Sequence, residues 1–175
     1  MSNKKIPADN IVHLVSKESA QEHVQKAAKK AQSVKEAAIE LDKIAAEKIA
    51  QAWLDASALT ASNRDFDAHF NLISEKVRVT GVPGFESISY DDWARAAKKD
   101  FEDQVLEKVT YDGLKLNAQN ETQIMFKTLE NIFVNDGTKK TQGVEILIEL
   151  EKDGVWRVIQ ERVMTGDEIR HVGLL

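Results

Sequence analysis

Two strand-like runs near the C-terminus, 143–150 and 155–163, are joined by Glu151-Lys152-Asp153-Gly154 and constrain the fold more than any other stretch. In the first, Val144, Ile146, Ile148 and Leu150 alternate with Glu145 and Glu149, the period of two expected of a half-buried strand. Asp-Gly ahead of Val155 supplies the residues that a tight hairpin turn requires.

Upstream, residues 8–32 read as helical, with Ile11, Val12, Leu14 and Val15 ahead of an Ala- and Lys-rich stretch. Ser19 and Ser33, each with an acid three residues on, have capping-box spacing, so the region is either two helices or one. From Val24 the apolar positions run Val24, Ala27, Ala31, Val34, Ala38, Leu41, Ala45 in steps of three and four, the seam of a helix that packs on another surface. Alanine buries little area, so the seam is expected to lie against the domain or a second subunit. A helix over 34–59 then carries Ile44, Ile49, Trp53 and Ala56 on a broad apolar face. A short helix follows with Phe66, His69, Phe70 and Ile73 on one side, then a strand at 76–80, a Pro83-Gly84 turn, and a helix capped by Ser89.

The remainder reads as four long strands, at about 105–116, 122–134, 141–151 and 155–165, the first bent near Asp112-Gly113. Helices followed by a run of antiparallel strands define an α+β fold in which a curved antiparallel sheet wraps a long helix. The domain organisation expected is a helical N-terminal extension over 1–33, one domain over 34–165 and a C-terminal tail over 166–175, which either crosses the interior's mouth or hangs free.

The element order, the Val79-Thr80-Gly81-Val82-Pro83-Gly84 phrase and the Asp153-Gly154-Val155-Trp156-Arg157-Val158-Ile159 hairpin together resemble the NTF2-like superfamily, which includes SnoaL-like cyclases and ketosteroid isomerases. The resemblance covers roughly residues 40–165. It implies a cone-shaped cavity between sheet and helix that holds a small apolar or aromatic molecule, with cofactor-free isomerase, cyclase or dehydratase chemistry as one use of it. In ketosteroid isomerases the general base precedes the proline turn, where this chain has Gly81, and the second acid falls near Ile146. Neither can carry a proton, so those catalytic residues are not carried over.

The remaining candidates come partly from the residues themselves and partly from what the resemblance implies. His69 shares an apolar face and titrates near neutrality, which makes it a candidate acid or base, or else a buried histidine bonded to a neighbour. Trp53 stands where the isomerases place a pocket-lining tyrosine, with core packing the alternative. Tyr90 and Trp93 open the helix that lids such a cavity and are candidate ligand contacts. If Trp156 and Val158 point inward, Gln160 and Arg162 continue that parity to the mouth, where Arg162 can grip a carboxylate. The opposite parity puts Ile159 and Val163 inward. Glu130 lies in a strand among Ile124, Phe126, Thr128 and Ile132 and reads as exposed at a strand edge or as a buried carboxylate.

Net charge of -5 gives no general attraction to nucleic acid or anionic lipid, and no apolar run reaches membrane-span length. Four histidines without ligand spacing and no cysteine argue against a metal site, and no cofactor motif is present. A cytoplasmic location is the default expectation. Apolar residues on both parities of 122–134 (Ile124, Phe126 and Ile132; Met125, Leu129 and Phe133) predict a homodimer through the sheet, and the helical extension offers an alternative role as an interaction module.

Overall fold

The computed structural model describes residues 8–175, with side chains described from residue 21. The basic start at 1–7 lies outside that range, as do the side chains of the apolar cluster at 11–15 and of Ser19. The chain forms two units that meet at Lys43 and Ile44. The first is helical and belongs to α1 (Ala8–Ser62), one helix rather than two. Ser33 does not cap a second helix, because its hydroxyl donates backward to the Lys30 carbonyl at 2.9 Å.

The second unit, Ile44–Leu175, contains the end of α1, the short α2 (Phe66–Phe70), β1 (Ile73–Thr80), β2 (Ile88–Ser89), α3 (Tyr90–Glu102), then β3 (Leu106–Gln119), β4 (Gln123–Val134), β5 (Lys139–Leu150), β6 (Trp156–Val163) and α4 (Gly166–His171). The strands form one six-stranded sheet in the order β2-β1-β6-β5-β4-β3, antiparallel throughout except for β1 beside β6. Caps fall where short polar side chains can satisfy the free amides of a first turn. Asp65 accepts from Ala68 N for α2, and Ser89 accepts from Asp92 N for α3. Ser62, the last residue of α1, accepts from Val109 N at 3.0 Å and ties the end of that helix to β3.

The inner face of the sheet presents Ile124 and Phe126 of β4, Val144, Ile146 and Ile148 of β5, and Val158 of β6, all essentially without solvent contact. Ala50, Trp53 and Leu54 of α1 fill the space above them. Trp53 stands edge-on to Phe126 at 6.4 Å, and its indole N–H donates to the Leu72 carbonyl at 3.3 Å, which fixes the ring. β3 bends at Gly113, where φ is 70° and the register with β4 slips. The buried Thr128 hydroxyl donates to the Asp112 carbonyl at 3.2 Å, and Asn131 Nδ2 donates to the Asp112 carboxylate at 2.6 Å, so the bend is held from β4.

The outer face has a small core of its own. The C-terminal segment forms α4, closed by a full capping box between Thr165 and Glu168, and Ile169 packs with Leu129 and Met164. Part of the second apolar parity of β4 is therefore covered within the chain. Gly143 makes that contact possible, since a Cβ there would lie 2.5 Å from Ile169.

The turn after β1 depends on Gly81 for two separate reasons. Its φ is 78°, and a Cβ would meet the Val163 carbonyl oxygen of β6 at 2.4 Å. Gly84 shares the positive φ but has open space around it. Gly81→Ala is therefore expected to cost more than the ~1–2 kcal/mol of left-handed strain alone, and Gly84→Ala no more than that strain. Urea unfolding of both variants checks this, and equal losses would contradict it.

Candidate functional site

β6 decides what enters the interior. Val158 pairs with Ile148, but the next pair is Gln160 with Leu147, so Ile159 is an extra residue on β6. The bulge reverses the parity beyond it. Glu161 pairs with the buried Ile146 and Val163 with the buried Val144, which puts both on the inner face. Gln160 and Arg162 pair with Leu147 and Glu145 and so take the outer face. This corrects the expectation that Gln160 and Arg162 line the mouth. Arg162 bonds Glu168 at 2.8 Å and Glu145 at 3.3 Å, and its fork is engaged there rather than free for a ligand carboxylate.

The inner face, α1 and α3 enclose a cavity of about 230 Å³. Its walls include Trp53 and Ser57 of α1, His69 of α2, Trp93 and Phe101 of α3, and Tyr111 of β3. Glu130 and Glu161 complete it. Of the sequence candidates, His69, Trp53 and Trp93 thus share one cavity. Tyr90 does not join them; it packs edge-on to Phe70 at 5.6 Å and borders a separate surface hollow with Phe66 and Arg157.

The two carboxyl groups have different surroundings. Glu130 is half-buried in a central strand, not at an edge. Gln142 Nε2 donates to its Oε2 at 2.7 Å and the Tyr111 hydroxyl to its Oε1 at 3.4 Å. With the phenol proton so used, Ser57 is the donor to the Tyr111 oxygen at 3.1 Å. Burial pushes the Glu130 carboxyl up, while the bonds from Gln142 and Tyr111 pull it back. Glu161 is 9% exposed. Burial, reinforced by the neighbouring Glu130 charge with no hydrogen bond to offset it, pushes its carboxyl up to about 8. Glu161 is accordingly protonated at neutral pH. Tyr111 is also pushed well above its ordinary range, first by burial and then by the two glutamates.

His69 is 9% exposed, and desolvation lowers it to about 4, partly offset by a bond to the Ser57 carbonyl. It is neutral at working pH. The Thr60 hydroxyl donates to the Ala56 carbonyl at 2.8 Å and lies 3.0 Å from His69 Nδ1, which assigns the proton to Nδ1 and leaves Nε2 as an acceptor.

Among the described residues no group of three or more His, Cys, Asp or Glu is placed to hold a metal ion, and no helix is long and apolar enough to cross a membrane. Glu161 is the site residue that sequence reasoning passed over. Its signal is the adjacent apolar pair Val158-Ile159, which breaks strict alternation, followed by Val163 on the parity opposite to Trp156.

A curved sheet wrapped around a helix, with an acidic and aromatic interior, defines an NTF2-like α+β protein with a cystatin-like fold. Comparison with known families places it further: the SnoaL-like domain matches residues 47–162, and the chain belongs to that family. Solved structures agree on the fold. An NTF2-like protein with a cystatin-like fold from Novosphingobium aromaticivorans shares 13% identity over 74% of this chain and 88% of its own, with a TM-score of 0.58. A candidate scytalone dehydratase from the same organism has 9% identity over 70% and 85%, TM-score 0.59. A candidate dehydratase of the NTF2-like family from Streptomyces avermitilis has 14% identity over 66% and 92%, TM-score 0.52. No curated protein sequence matches the chain.

The two shifted groups predict the pH dependence of stability. Glu161 has a folded value above its unfolded value, so its contribution is fully present below about 4.5 and is lost as pH rises through 8. His69 is the reverse: its contribution is present above 6.5 and is lost as pH falls toward 4. The two slopes oppose each other between 4.5 and 6.5, which leaves 6.5–8 as the window where Glu161 acts without His69. Unfolding free energy is expected to fall there by on the order of 2 kcal/mol. In Glu161→Gln most of that slope disappears, as read by urea titrations at several pH values. An unchanged slope in the variant would contradict the assignment.

Proposed function

We propose that this protein binds a small, largely apolar molecule in the cavity and carries out cofactor-free acid/base chemistry on it, of the isomerase, cyclase or dehydratase kind. The observation that carries the reading is Glu161, a buried carboxyl with no hydrogen-bond partner among the described residues, held protonated beside a second carboxyl in an aromatic cavity. Two carboxyls whose environments separate their proton affinities can divide the roles of acid and base. Glu161 is the proton donor. Glu130, kept closer to the ionised form by Gln142 and Tyr111, is the acceptor.

For a β-hydroxy carbonyl compound the steps balance. Glu130 takes the proton from the carbon next to the carbonyl, the electron pair forms the C=C bond, and the C–O bond breaks as Glu161 delivers its proton to the leaving hydroxyl, releasing water. Exchange with solvent restores both carboxyls. His69 Nε2 accepts a hydrogen bond from the substrate, and Trp53 and Trp93 supply apolar walls. The names of two structural neighbours, both candidate dehydratases, agree with this class of reaction.

The test is turnover of a panel of uncharged β-hydroxyketones, followed by the ultraviolet absorbance of the conjugated product. Loss of a proton donor or acceptor is expected to lower the rate ~10²–10⁴-fold, so Glu161→Gln and Glu130→Gln should each fall by that order while both remain folded. Turnover undiminished in Glu161→Gln would refute the assignment.

A second reading, interaction through the helical extension and the sheet, is favoured by exposed apolar side chains. Val24, Val34 and Leu41 of α1 are each more than 60% exposed, and Met125 pairs with Leu147 on the outer face of the sheet. On this reading the chain is a homodimer. Sedimentation velocity at micromolar concentration is expected to give a dimer, and a monomer there would remove the dimer proposal.

A further inference from the structure

The space around the acid pair does not end with the first cavity. A second hollow of about 550 Å³ shares Trp93, Ala96, Glu130, Ile132 and Glu161 with the first. The two carboxyls therefore stand where two chambers meet. The outer chamber has its own apolar walls, Val79 of β1, Val82 and Phe85 of the following turn, Ile88 of β2 and Val163 of β6. Phe85 is 63% exposed, an aromatic ring left in water beside an apolar hollow. The same bulge that turns Glu161 inward also turns Val163 inward, so one feature of β6 supplies both the acid and part of this second wall.

Size and charge restrict what fits. An apolar cavity of ~150 Å³ takes a benzene ring, so the inner chamber holds one ring with a small substituent and no more. Apart from Arg95, the ionisable side chains on the combined walls are acidic or neutral: Asp92, Asp100, Glu130, Glu161, His69 and Tyr111. Arg95 is already bonded to Asp92 at 3.2 Å. A ligand carboxylate would meet like charge on these walls, Lys140 acting on Glu130 only from outside them.

We infer that the substrate is an uncharged molecule with two apolar lobes joined at an oxygen-bearing carbon. One ring-sized lobe sits against Trp53 and Phe101, the oxygen reaches Glu161 and Glu130, and the second lobe lies in the outer chamber against Val79, Phe85 and Val163. The inference deepens the acid/base reading and rests on it for the role of the central oxygen.

Binding rather than turnover tests it, so the two can fail separately. Diphenylmethanol carries two rings on one carbinol carbon, benzyl alcohol carries one, and diphenylacetate keeps both rings on one carbon but replaces the hydroxyl with a carboxylate. Affinities at pH 7 are measured by calorimetry and by quenching of tryptophan fluorescence, in the wild type and in Glu161→Gln. Diphenylmethanol is expected to bind at least roughly tenfold more tightly than either other probe, because the second ring adds buried apolar area and the carboxylate adds repulsion. Phe85→Ala, a change at an exposed residue that leaves the fold intact, is expected to weaken diphenylmethanol several-fold and leave benzyl alcohol unchanged. Equal affinity for the two alcohols overturns the inference, as does diphenylacetate binding as tightly as diphenylmethanol, an unaltered Phe85→Ala variant, or no binding by any probe. If the pattern holds while the hydroxyketone panel gives no turnover, the shape inference stands and the catalytic reading fails.

Discussion

The extra residue at Ile159 is the constraint on which the interior depends. A strand that alternated strictly from Trp156 would deliver Gln160 and Arg162 to the cavity and bury no acid there. With the bulge, Val158 and Glu161 both face inward, and Arg162 faces the other way, toward Glu145 and Glu168. The same shift directs Val163 inward opposite Val144, close to where the β6 backbone approaches Gly81 so nearly that no side chain fits.

Electrostatics follow from that geometry. Placing an unbonded carboxyl in a cavity walled by tryptophan, phenylalanine and tyrosine removes the water that would stabilise its charge, and a second carboxyl nearby adds repulsion. The protein responds by keeping the proton. Glu130 escapes the same fate in part because Gln142 and Tyr111 donate to it from the flanking strands. His69, buried on the other side, stays neutral for the mirror-image reason: desolvation disfavours its cation. A cavity with one stored proton, one partly bonded acid and one neutral imidazole is suited to moving protons on an uncharged molecule.

Much of this was legible in the sequence. Alternation at Val144–Leu150 located β5 and its inner face, Asp153-Gly154 located the hairpin, Ser89 located the start of α3, and Asp112-Gly113 located the bend in β3, because each rests on local backbone chemistry. His69 could be nominated for the cavity from helical spacing, and Trp53 and Trp93 from their places in the family that the chain resembles. The extent of α1 past Ser33 was not legible, since a serine that caps and one that bonds back to its own helix look alike in a sequence. Nor was the inward side of β6 beyond Val158: one added residue inverts every later assignment, and whether a strand bulges is set by its partners, here β5 and β1. Glu161 was hidden for that reason, and Arg162 was nominated in its place. Glu130 read as an edge residue because strand order is a tertiary property, and β4 lies inside the sheet.

The chemistry proposed for the cavity depends on Glu161 retaining its proton at neutral pH. The direct measurement is the titration of its side-chain carboxyl by carbon-13 NMR, with Glu161→Gln identifying the resonance. A midpoint near 8, moving down when Glu130 is replaced by Gln, is the predicted result. A midpoint in the ordinary carboxylate range, near 4.5, would mean that the carboxyl is solvated and ionised in the folded protein and would contradict the central claim.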